Sequence, residues 1–311
     1  MARKVKISIL GPAPYSLPYQ EDLSGLVTAM EQHWEGQLAH VLYEKPDLIL
    51  VPEACDRYPD FTMEERFRYY EARQDQIRDF FAAVCRKNHC NIAYSAARRL
   101  PDGSYRNSTQ LLNRRGETVG IYHKNHLVVT EVTEGKMLCG SQAPVFDLDF
   151  GRVACAICFD LNFEELRKKY EQQRPELILF SSMYHGGQVQ KEWAYHCRSY
   201  FAGAVAGLPC SLINPLGELI AHSTNYHPFL TACVNLDYEM LHLDFNWEKL
   251  QAAKKKYGAG IEIRDPGFLG AVMLTSESDE FSAQDIVKEF NIERLDDYLS
   301  RSRQCRLSNM E

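Results

Sequence analysis

Three reactive side chains in this sequence each follow a run of strand-forming residues. They are Glu53 shortly after residues 47–51, Lys124 directly after residues 119–123, and Cys158 directly after residues 153–157. In proteins that alternate strands and helices, reactive groups collect in the loops beyond the carboxyl ends of the strands. The pattern therefore predicts an α/β fold in which a carboxylate, an ammonium and a thiol share one pocket.

These three groups together meet the needs of a cysteine nucleophile. A free thiol with a pKa near ~8.5 is mostly protonated at neutral pH, so a base must take its proton or a cation must favour the thiolate. Glu53 is the candidate base and Lys124 is the candidate cation. Fixed donors must then stabilise the negative charge that develops on an attacked carbonyl or nitrile, and we expect Lys124 and the N–H of Phe159 to do so. The trio predicts acyl transfer through Cys158.

Apolar periodicity predicts how the elements alternate around these segments. Apolar residues at intervals of three or four predict a single long helix over residues 63–84, in which only Gln74 breaks the apolar stripe. Residues 193–205 also predict a helix. Turn residues between strand-type runs predict hairpins over residues 91–123.

The C-terminal part of the sequence carries no catalytic motif. Residues 246–257 and 285–301 predict two helices, and residues 267–276 between them predict a strand. No Pro/Gly/Ser-rich linker or change of composition divides the chain. We therefore expect one domain over residues 1–260 and a C-terminal extension over residues 261–311.

Charge and composition exclude several classes of partner. The formal net charge of −7 is modest and the two signs are interspersed, so we expect neither nucleic acid nor an anionic membrane as a partner. The longest apolar runs have strand length, and no hydrophobic signal core follows the N-terminus. The ten cysteines are scattered through a long chain, which suits a reducing compartment. These features predict a cytoplasmic protein.

The order and surroundings of the trio resemble the nitrilase or carbon–nitrogen hydrolase superfamily. The resemblance runs from about residue 5 to 237, with Glu53, Lys124 and Cys158 separated by gaps of 71 and 34 residues. Further segments follow in the family's order: Phe159 to Glu165, a strand at 176–183, a helix containing Trp193 and Arg198, and Ser211 to Gly217. The resemblance implies a four-layer α-β-β-α sandwich, a Glu-Lys-Cys triad, and neither a cofactor nor a metal.

Two further features are implied by the resemblance alone. Many relatives use a second glutamate, between the lysine and the cysteine, that orients the lysine or the hydrolytic water. Glu134 lies six residues before Gly140, which matches a glycine of the family, and it is the better match; Glu131 is the alternative. The C-terminal tails of relatives often pack across a dimer interface, so we expect a homodimer or a higher homo-oligomer in which residues 261–311 take part.

The residues after the nucleophile indicate a substrate class. Nitrile-hydrolysing relatives typically carry Trp-Glu directly after the cysteine, whereas this chain has Phe159-Asp160, which is closer to amidases and carbamoyl amide hydrolases. The resemblance therefore implies a linear amide or an N-carbamoyl amine as substrate. By position, the candidate substrate-binding residues are Phe159, Asn162, Tyr184, His185, Tyr58 and Phe61.

Other interpretations of the same residues remain. Cys155 and Cys158 form a C-x-x-C motif, but residues three apart in an extended strand point to opposite faces, so their sulfurs would not meet. A thiol-disulfide oxidoreductase would also leave Glu53 and Lys124 unexplained. A non-catalytic scaffold of the same fold should have lost one member of the trio. A nitrilase or an acyl transferase could use the same three residues.

Two histidines near Lys124 could suggest a metal site. His123 and His126 are three residues apart across the end of a strand, and no carboxylate or thiol completes a ligand set at metal-binding spacing. We interpret both as packing or orienting residues.

Overall fold

The computed structural model describes residues 1–310. Its strands are β1 (Lys4–Leu10), β2 (Leu48–Leu50), β3 (Asn91–Arg99), β4 (Tyr105–Leu112), β5 (Thr118–His123), β6 (Val145–Leu148), β7 (Gly151–Ile157), β8 (Leu177–Ser182), β9 (Tyr200–Val205), β10 (Ser211–Ile213), β11 (Leu219–His222), β12 (Phe229–Asn235), β13 (Tyr238–His242), β14 (Ile261–Arg264) and β15 (Ala271–Ser276). Its α-helices are α1 (Leu23–Leu42), α2 (Met63–Arg73), α3 (Gln76–Asn88), α4 (Val129–Thr133), α5 (Glu164–Gln173), α6 (Gln188–Cys197), α7 (Trp247–Tyr257), α8 (Ala283–Glu289) and α9 (Leu295–Ser308). The chain forms two compact units, residues 6–232 and residues 1–5 with those from 233 onward.

Two six-stranded sheets carry the larger unit. The first has the order β12-β1-β2-β3-β4-β5 and the second has the order β11-β10-β9-β8-β7-β6. Each has parallel strands at its centre, β1-β2-β3 in the first sheet and β7-β8-β9 in the second, with antiparallel hairpins at the side. The carboxyl ends of parallel strands lie at the same edge of a sheet. The segment after β2 therefore lies at that edge of the first sheet, and the segments after β7 and β8 lie at that edge of the second.

The sheets face each other and helices cover their outer faces. Strand β3 contacts β8, and β4 contacts β7. Helices α1 and α3 pack on the first sheet through a core that includes Trp34, Phe81, Ile49 and Ile92, while α6 packs against β9 and β10 and α5 packs against α6. This arrangement is a four-layer α-β-β-α sandwich, and it confirms the fold expected from the resemblance.

The long helix expected over residues 63–84 is two helices. Thr62 begins α2 with a capping box, in which its side chain and that of Glu65 each accept a backbone N–H of the other residue. Gln74 ends α2 with a positive φ of 45°, and α3 begins at Gln76. The break falls at the one residue that interrupts the apolar stripe, because the backbone turns there and each helix packs separately.

The helix expected over residues 193–205 is wrong in its second half. Helix α6 ends at Cys197, where Arg198 adopts a left-handed conformation with φ 54°. From Tyr200 onward the residues form β9, which is buried along its whole length between β8 and β10. A strand buried on both faces lacks polar alternation, so its sequence resembles that of a buried helix.

The second unit is built around a smaller sheet. Strands β13, β15 and β14 form an antiparallel sheet in that order, and its core includes Leu241, Leu250, Val272, Leu274 and Ile286. The predicted domain boundary at residue 260 lies inside this unit, directly before β14. Packing of this part against a second copy of the chain stays a prediction.

No helix within residues 1–310 combines the length and the apolar character that crossing a bilayer requires.

Candidate active site

The sandwich brings Glu53, Lys124 and Cys158 to one cavity. Glu53 lies in the turn after β2, Lys124 follows β5, and Cys158 follows β7. All three line a cavity of about 450 Å³, a volume in the range of sites for small molecules. The structure thus places together the three side chains that the sequence singled out from distant segments.

Lys124 lies between two carboxylates. Its Nζ donates to Oε1 of Glu53 and to Oε2 of Glu131, at 2.8 Å in each case. The Nδ2 of Asn107, on β4, donates to Oε1 of both glutamates, also at 2.8 Å. The Lys124 side chain is only 1% exposed, so the ammonium can approach a ligand only through the cavity.

Neighbouring backbone fixes the position of Lys124. Its N–H donates to the carbonyl of Asn107, and its carbonyl accepts from the N–H of Gly140 at 2.8 Å. A Cβ on Gly140 would lie 2.2 Å from the carbonyl oxygen of His123. Only glycine allows the chain to approach this closely, which explains the glycine at this position.

Both oxygens of Glu53 are held. Oε1 accepts from Lys124 and Asn107, and Oε2 accepts from the backbone N–H of Met183 at 3.1 Å. Met183 directly follows β8, the parallel neighbour of β7, which Cys158 directly follows. The carboxylate therefore has a fixed orientation at the cavity wall.

Cys158 is the first residue of a short 3-10 helix, Cys158–Asn162, that directly follows β7. Its φ is +47°, a left-handed conformation that costs a non-glycine residue about 1–2 kcal/mol. Asp160 holds the turn, because its carboxylate accepts from the N–H of Ile157 at 3.0 Å, the hydroxyl of Tyr122 at 2.7 Å and the N–H of His126 at 2.8 Å. The bonds to Asp160 offset the strain at Cys158.

The surroundings keep Cys158 protonated and Lys124 charged. Burial, followed by the charge of Glu53, raises the pKa of the Cys158 thiol to about 11, although Lys124 opposes this. Burial alone would lower the pKa of Lys124, but Glu53 and Glu131 outweigh it and hold that pKa above its ordinary value. At neutral pH the site therefore holds a thiol and an ammonium, and attack requires that a base remove the thiol proton.

A buried ion pair anchors the turn that carries Glu53. Asp56 Oδ2 lies 2.9 Å from Arg73 Nε, and the two side chains are 0% and 7% exposed. Arg73, at the end of α2, also donates to the carbonyl of Ala97. The N–H of Cys55 donates to the carbonyl of Ser95 at 2.8 Å. These contacts fix the turn against β3 and α2.

The second carboxylate that contacts Lys124, besides that of Glu53, belongs to Glu131 and not to Glu134, the residue that the sequence favoured. Glu131 lies in the first turn of α4, where its Oε2 also accepts from the N–H of Val128 at 2.9 Å. Glu134 follows the end of α4; it is exposed and lines the cavity. The difference arises because the short helix α4 directs Glu131 back over its own start. The bond from the Val128 N–H to Glu131 is only the glutamate half of a capping box, and a valine at the cap position gives no sequence signal for it.

Asn107 is a member of this network that the sequence did not reveal. It lies on β4 and is 5% exposed. The only signal is a polar run, Asn107-Ser-Thr-Gln110, within a strand that is largely buried. Buried polar side chains need hydrogen-bond partners, so such a run can mark a site.

Tyr58 and Phe61 do not line the cavity, contrary to expectation. The Tyr58 hydroxyl donates to the carbonyl of Leu26 at 2.7 Å, and its ring stacks on Phe61 with centroids 4.7 Å apart. Both side chains belong to the core beneath α1 and α2. They follow Glu53 closely in sequence, but the turn directs them into the core.

The other four expected substrate-binding residues also lie outside the lining of this cavity. The Tyr184 hydroxyl donates to Oδ1 of Asn162 at 3.1 Å, and Nδ1 of His185 accepts from the N–H of Gly187 at 3.1 Å. Phe159 is 37% exposed. Besides the catalytic candidates and Asn107, the lining includes Arg57, Met63, Arg66, Tyr70, Val128, Thr130, Met137 and Met183.

Cys155, His123 and His126, which lie near the site, make packing and hydrogen-bond contacts with neighbouring residues of the fold. Cys155 is fully buried within β7, and both it and Cys158 are free thiols. His126 stacks on Phe163 with centroids 3.8 Å apart, and Nδ1 of His123 lies 2.8 Å from the Ser108 hydroxyl. Within residues 1–310, no three His, Cys, Asp or Glu side chains are grouped so as to hold a metal ion.

Comparison with known proteins gives the family of the chain. The sequence model of the carbon-nitrogen hydrolase family matches residues 6–237. The chain belongs to the carbon–nitrogen hydrolase family. The match includes Glu53, Lys124, Cys158 and both of the large sheets apart from the first two residues of β1.

Curated relatives in this family match part of the chain. A chloroplastic omega-amidase of Arabidopsis thaliana is 25% identical over an alignment of 174 residues that covers 48% of this chain and 46% of the relative. A hydrolase from the pqqF 5' region of Pseudomonas protegens is 26% identical over 134 residues, 43% of this chain and 47% of the relative. The chain thus spans about half the length of the curated relatives it matches.

Solved structures of this family share the fold. A carbon–nitrogen hydrolase from Helicobacter pylori has a TM-score of 0.62 and 15% identity, covering 82% of this chain and 93% of its own. An amidase from Nesterenkonia sp. has a TM-score of 0.58 and 17% identity, covering 75% of this chain and 91% of its own. At these identities the similarity shows the sandwich and nothing finer.

Proposed function

We propose that this carbon–nitrogen hydrolase cleaves a linear amide or an N-carbamoyl amine through a covalent intermediate on Cys158. The observation that carries the proposal is the meeting of Glu53, Lys124 and Cys158 in one cavity of about 450 Å³. A thiol, a carboxylate base and a fixed cation are the parts that covalent acyl transfer requires.

Glu53 serves as the base. With a pKa raised to about 11, the Cys158 thiol stays protonated at neutral pH, so attack depends on a carboxylate that takes the proton as the carbon–sulfur bond forms. Glu53 is oriented for this by Lys124, Asn107 and the N–H of Met183. Once protonated, it gives the proton to the leaving amine, and the C–N bond breaks.

Lys124 stabilises the oxyanion of the tetrahedral intermediate. Its ammonium stays charged because the two carboxylates hold its pKa above the ordinary value. The first N–H groups of the 3-10 turn after Cys158 have no partner within that turn, so the N–H of Phe159 serves as a second donor. Water then attacks the thioester, Glu53 takes its proton, and the acid leaves with Cys158 restored as a thiol.

A substrate panel tests the proposal. The protein is incubated with linear amides, N-carbamoyl amines and nitriles, ammonia release is followed, and the adduct on Cys158 is trapped and identified by mass spectrometry. We expect ammonia from amides or carbamoyl amines and an acyl or carbamoyl increment on the peptide that contains Cys158. Absence of both ammonia and adduct for every compound would refute the proposal, as would insulin reduction without amide cleavage.

The second glutamate gives a further prediction. Glu131→Gln should lower kcat about 10- to 100-fold, because one of the two charges that hold the Lys124 ammonium is lost. Glu134→Gln is the matched control, because the Glu134 side chain makes no contact with Lys124, and it should change kcat less than about threefold. Steady-state ammonia release measures both. A larger loss in the Glu134 variant would return the role to Glu134.

A further inference from the structure

We infer that Arg57 and Arg66 form an anion subsite in the catalytic cavity, so that the substrate is an amide or N-carbamoyl amine that also carries a carboxylate. This inference rests on the proposed function and narrows its substrate class. The subsite consists of side chains that the catalytic steps do not use.

One face of α2 forms part of the cavity lining. Met63, Arg66 and Tyr70 are spaced by three and four residues, which places them on the same side of the helix, and all three line the cavity. Arg57 lines it from the turn that also carries Glu53. Two guanidinium groups therefore belong to the same small cavity as the nucleophile.

The two arginines lack the acidic partners that neighbouring arginines have. Arg68 pairs with Glu64 at 2.8 Å, and Arg73 pairs with Asp56 at 2.9 Å. Arg66 instead donates to the carbonyl of Pro59 at 2.7 Å, and its Nε is buried without a hydrogen-bond partner. Across residues 1–310, no carboxylate lies within ion-pair distance of Arg57 or Arg66.

The acids of the cavity do not neutralise this pair. Glu53 and Glu131 are both bound to Lys124 and Asn107. Glu134 is exposed and makes no ion pair with either arginine. Burial and the neighbouring charge of Arg57 both lower the pKa of Arg66. A bound anion would relieve the repulsion between the two cations and satisfy the buried Nε.

A carboxylate fits this pair best among the groups of a small amide. The planar guanidinium presents parallel N–H groups that match the two oxygens of a carboxylate. In a cavity of about 450 Å³, a short chain would join that carboxylate to the carbonyl at Cys158. A neutral amide of the same length would leave the guanidinium groups desolvated and unpaired, which is a strong basis for discrimination.

Matched substrates test the inference. Glutaric monoamide is compared with pentanamide, and N-carbamoyl-β-alanine with propylurea, so that a methyl group replaces the carboxylate in each pair. We expect kcat/KM of the wild-type protein to be about 10- to 100-fold higher for the anionic member of at least one pair. Arg57→Gln and Arg66→Gln should remove most of that preference by raising KM for the anionic substrate. The same substitutions should change kcat/KM for the neutral substrate less than about twofold.

Arg68→Gln is the control, since Arg68 lies on the same helix but is exposed and does not line the cavity. It should leave both members of each pair unchanged. Equal kcat/KM for anionic and neutral members in the wild-type protein would overturn the inference. Equal losses for both members in the Arg57 and Arg66 variants would also overturn it, while leaving the proposed hydrolysis intact.

A binding measurement separates the inference from the proposed function. Calorimetry on the Cys158→Ala protein should detect binding of glutaric monoamide or N-carbamoyl-β-alanine. Adding Arg57→Gln to that protein should raise the Kd about tenfold or more. If this pattern holds but no compound is hydrolysed by the wild-type protein, the anion subsite stands and the proposed hydrolysis fails. If neither compound binds, or if binding does not depend on Arg57, the subsite is refuted.

Discussion

Replacing Cys158 with alanine should abolish amide hydrolysis, with a loss of kcat on the order of 10⁶-fold. The Cys158 sulfur forms the bond to the substrate carbon, and no other thiol lines the cavity. Cys155→Ala should retain much of the rate, because the Cys155 side chain is fully buried within β7. Ammonia release from a substrate found with the panel measures both variants.

Two controls make this result specific. Circular dichroism and thermal unfolding should show that the Cys158→Ala protein remains folded, since the substitution removes one atom from a partly buried position at the cavity wall. The same protein should yield no acyl adduct in the mass spectrum. Equal loss of activity in the Cys155 and Cys158 variants would contradict the assignment of the nucleophile.

Replacing Arg73 with methionine should lower the free energy of unfolding by about 3–5 kcal/mol. Arg73 is the partner of Asp56, and both side chains are almost completely buried. Without the guanidinium, Asp56 becomes a buried carboxylate with no cation, so it must either take up a proton or remain desolvated. Urea unfolding at neutral pH measures the loss.

A double-substitution cycle shows whether the pair itself causes the effect. The Asp56→Leu and Arg73→Met double variant should be less destabilised than the sum of the single variants, because an apolar pair leaves no charge unpaired. Arg68→Met, which breaks the exposed pair with Glu64, should cost no more than about 1 kcal/mol. Strictly additive losses at Asp56 and Arg73 would contradict this explanation.

The sequence predicts the main elements of the site because each reactive residue follows its own strand. Glu53, Lys124 and Cys158 follow β2, β5 and β7, and a strand fixes where the next residue emerges. The sandwich follows from the same alternation and from the resemblance to the family. Local pattern is sufficient where one element decides the position of one side chain.

The sequence is a poorer guide where contacts between distant segments decide. Glu131 and Glu134 are three residues apart. Only the way in which α4 packs beside Lys124 decides that Glu131, in the first turn of this helix, is the one that reaches the ammonium. Tyr58 lies in the core because its hydroxyl meets a carbonyl of α1. Arg57 and Arg66 become neighbours in the cavity only when α2 docks beside the turn after β2.

The protonated state of Cys158 affects how the protein meets reactive small molecules. Peroxide and simple alkylating agents react with thiolates, and a thiol with a pKa of about 11 offers very little thiolate near neutrality. The sulfur should therefore survive oxidative conditions that inactivate proteins with preformed thiolates. Effective covalent inhibitors would have to resemble a substrate closely enough to recruit Glu53 as they bind, so selectivity would come from fit more than from electrophilic strength.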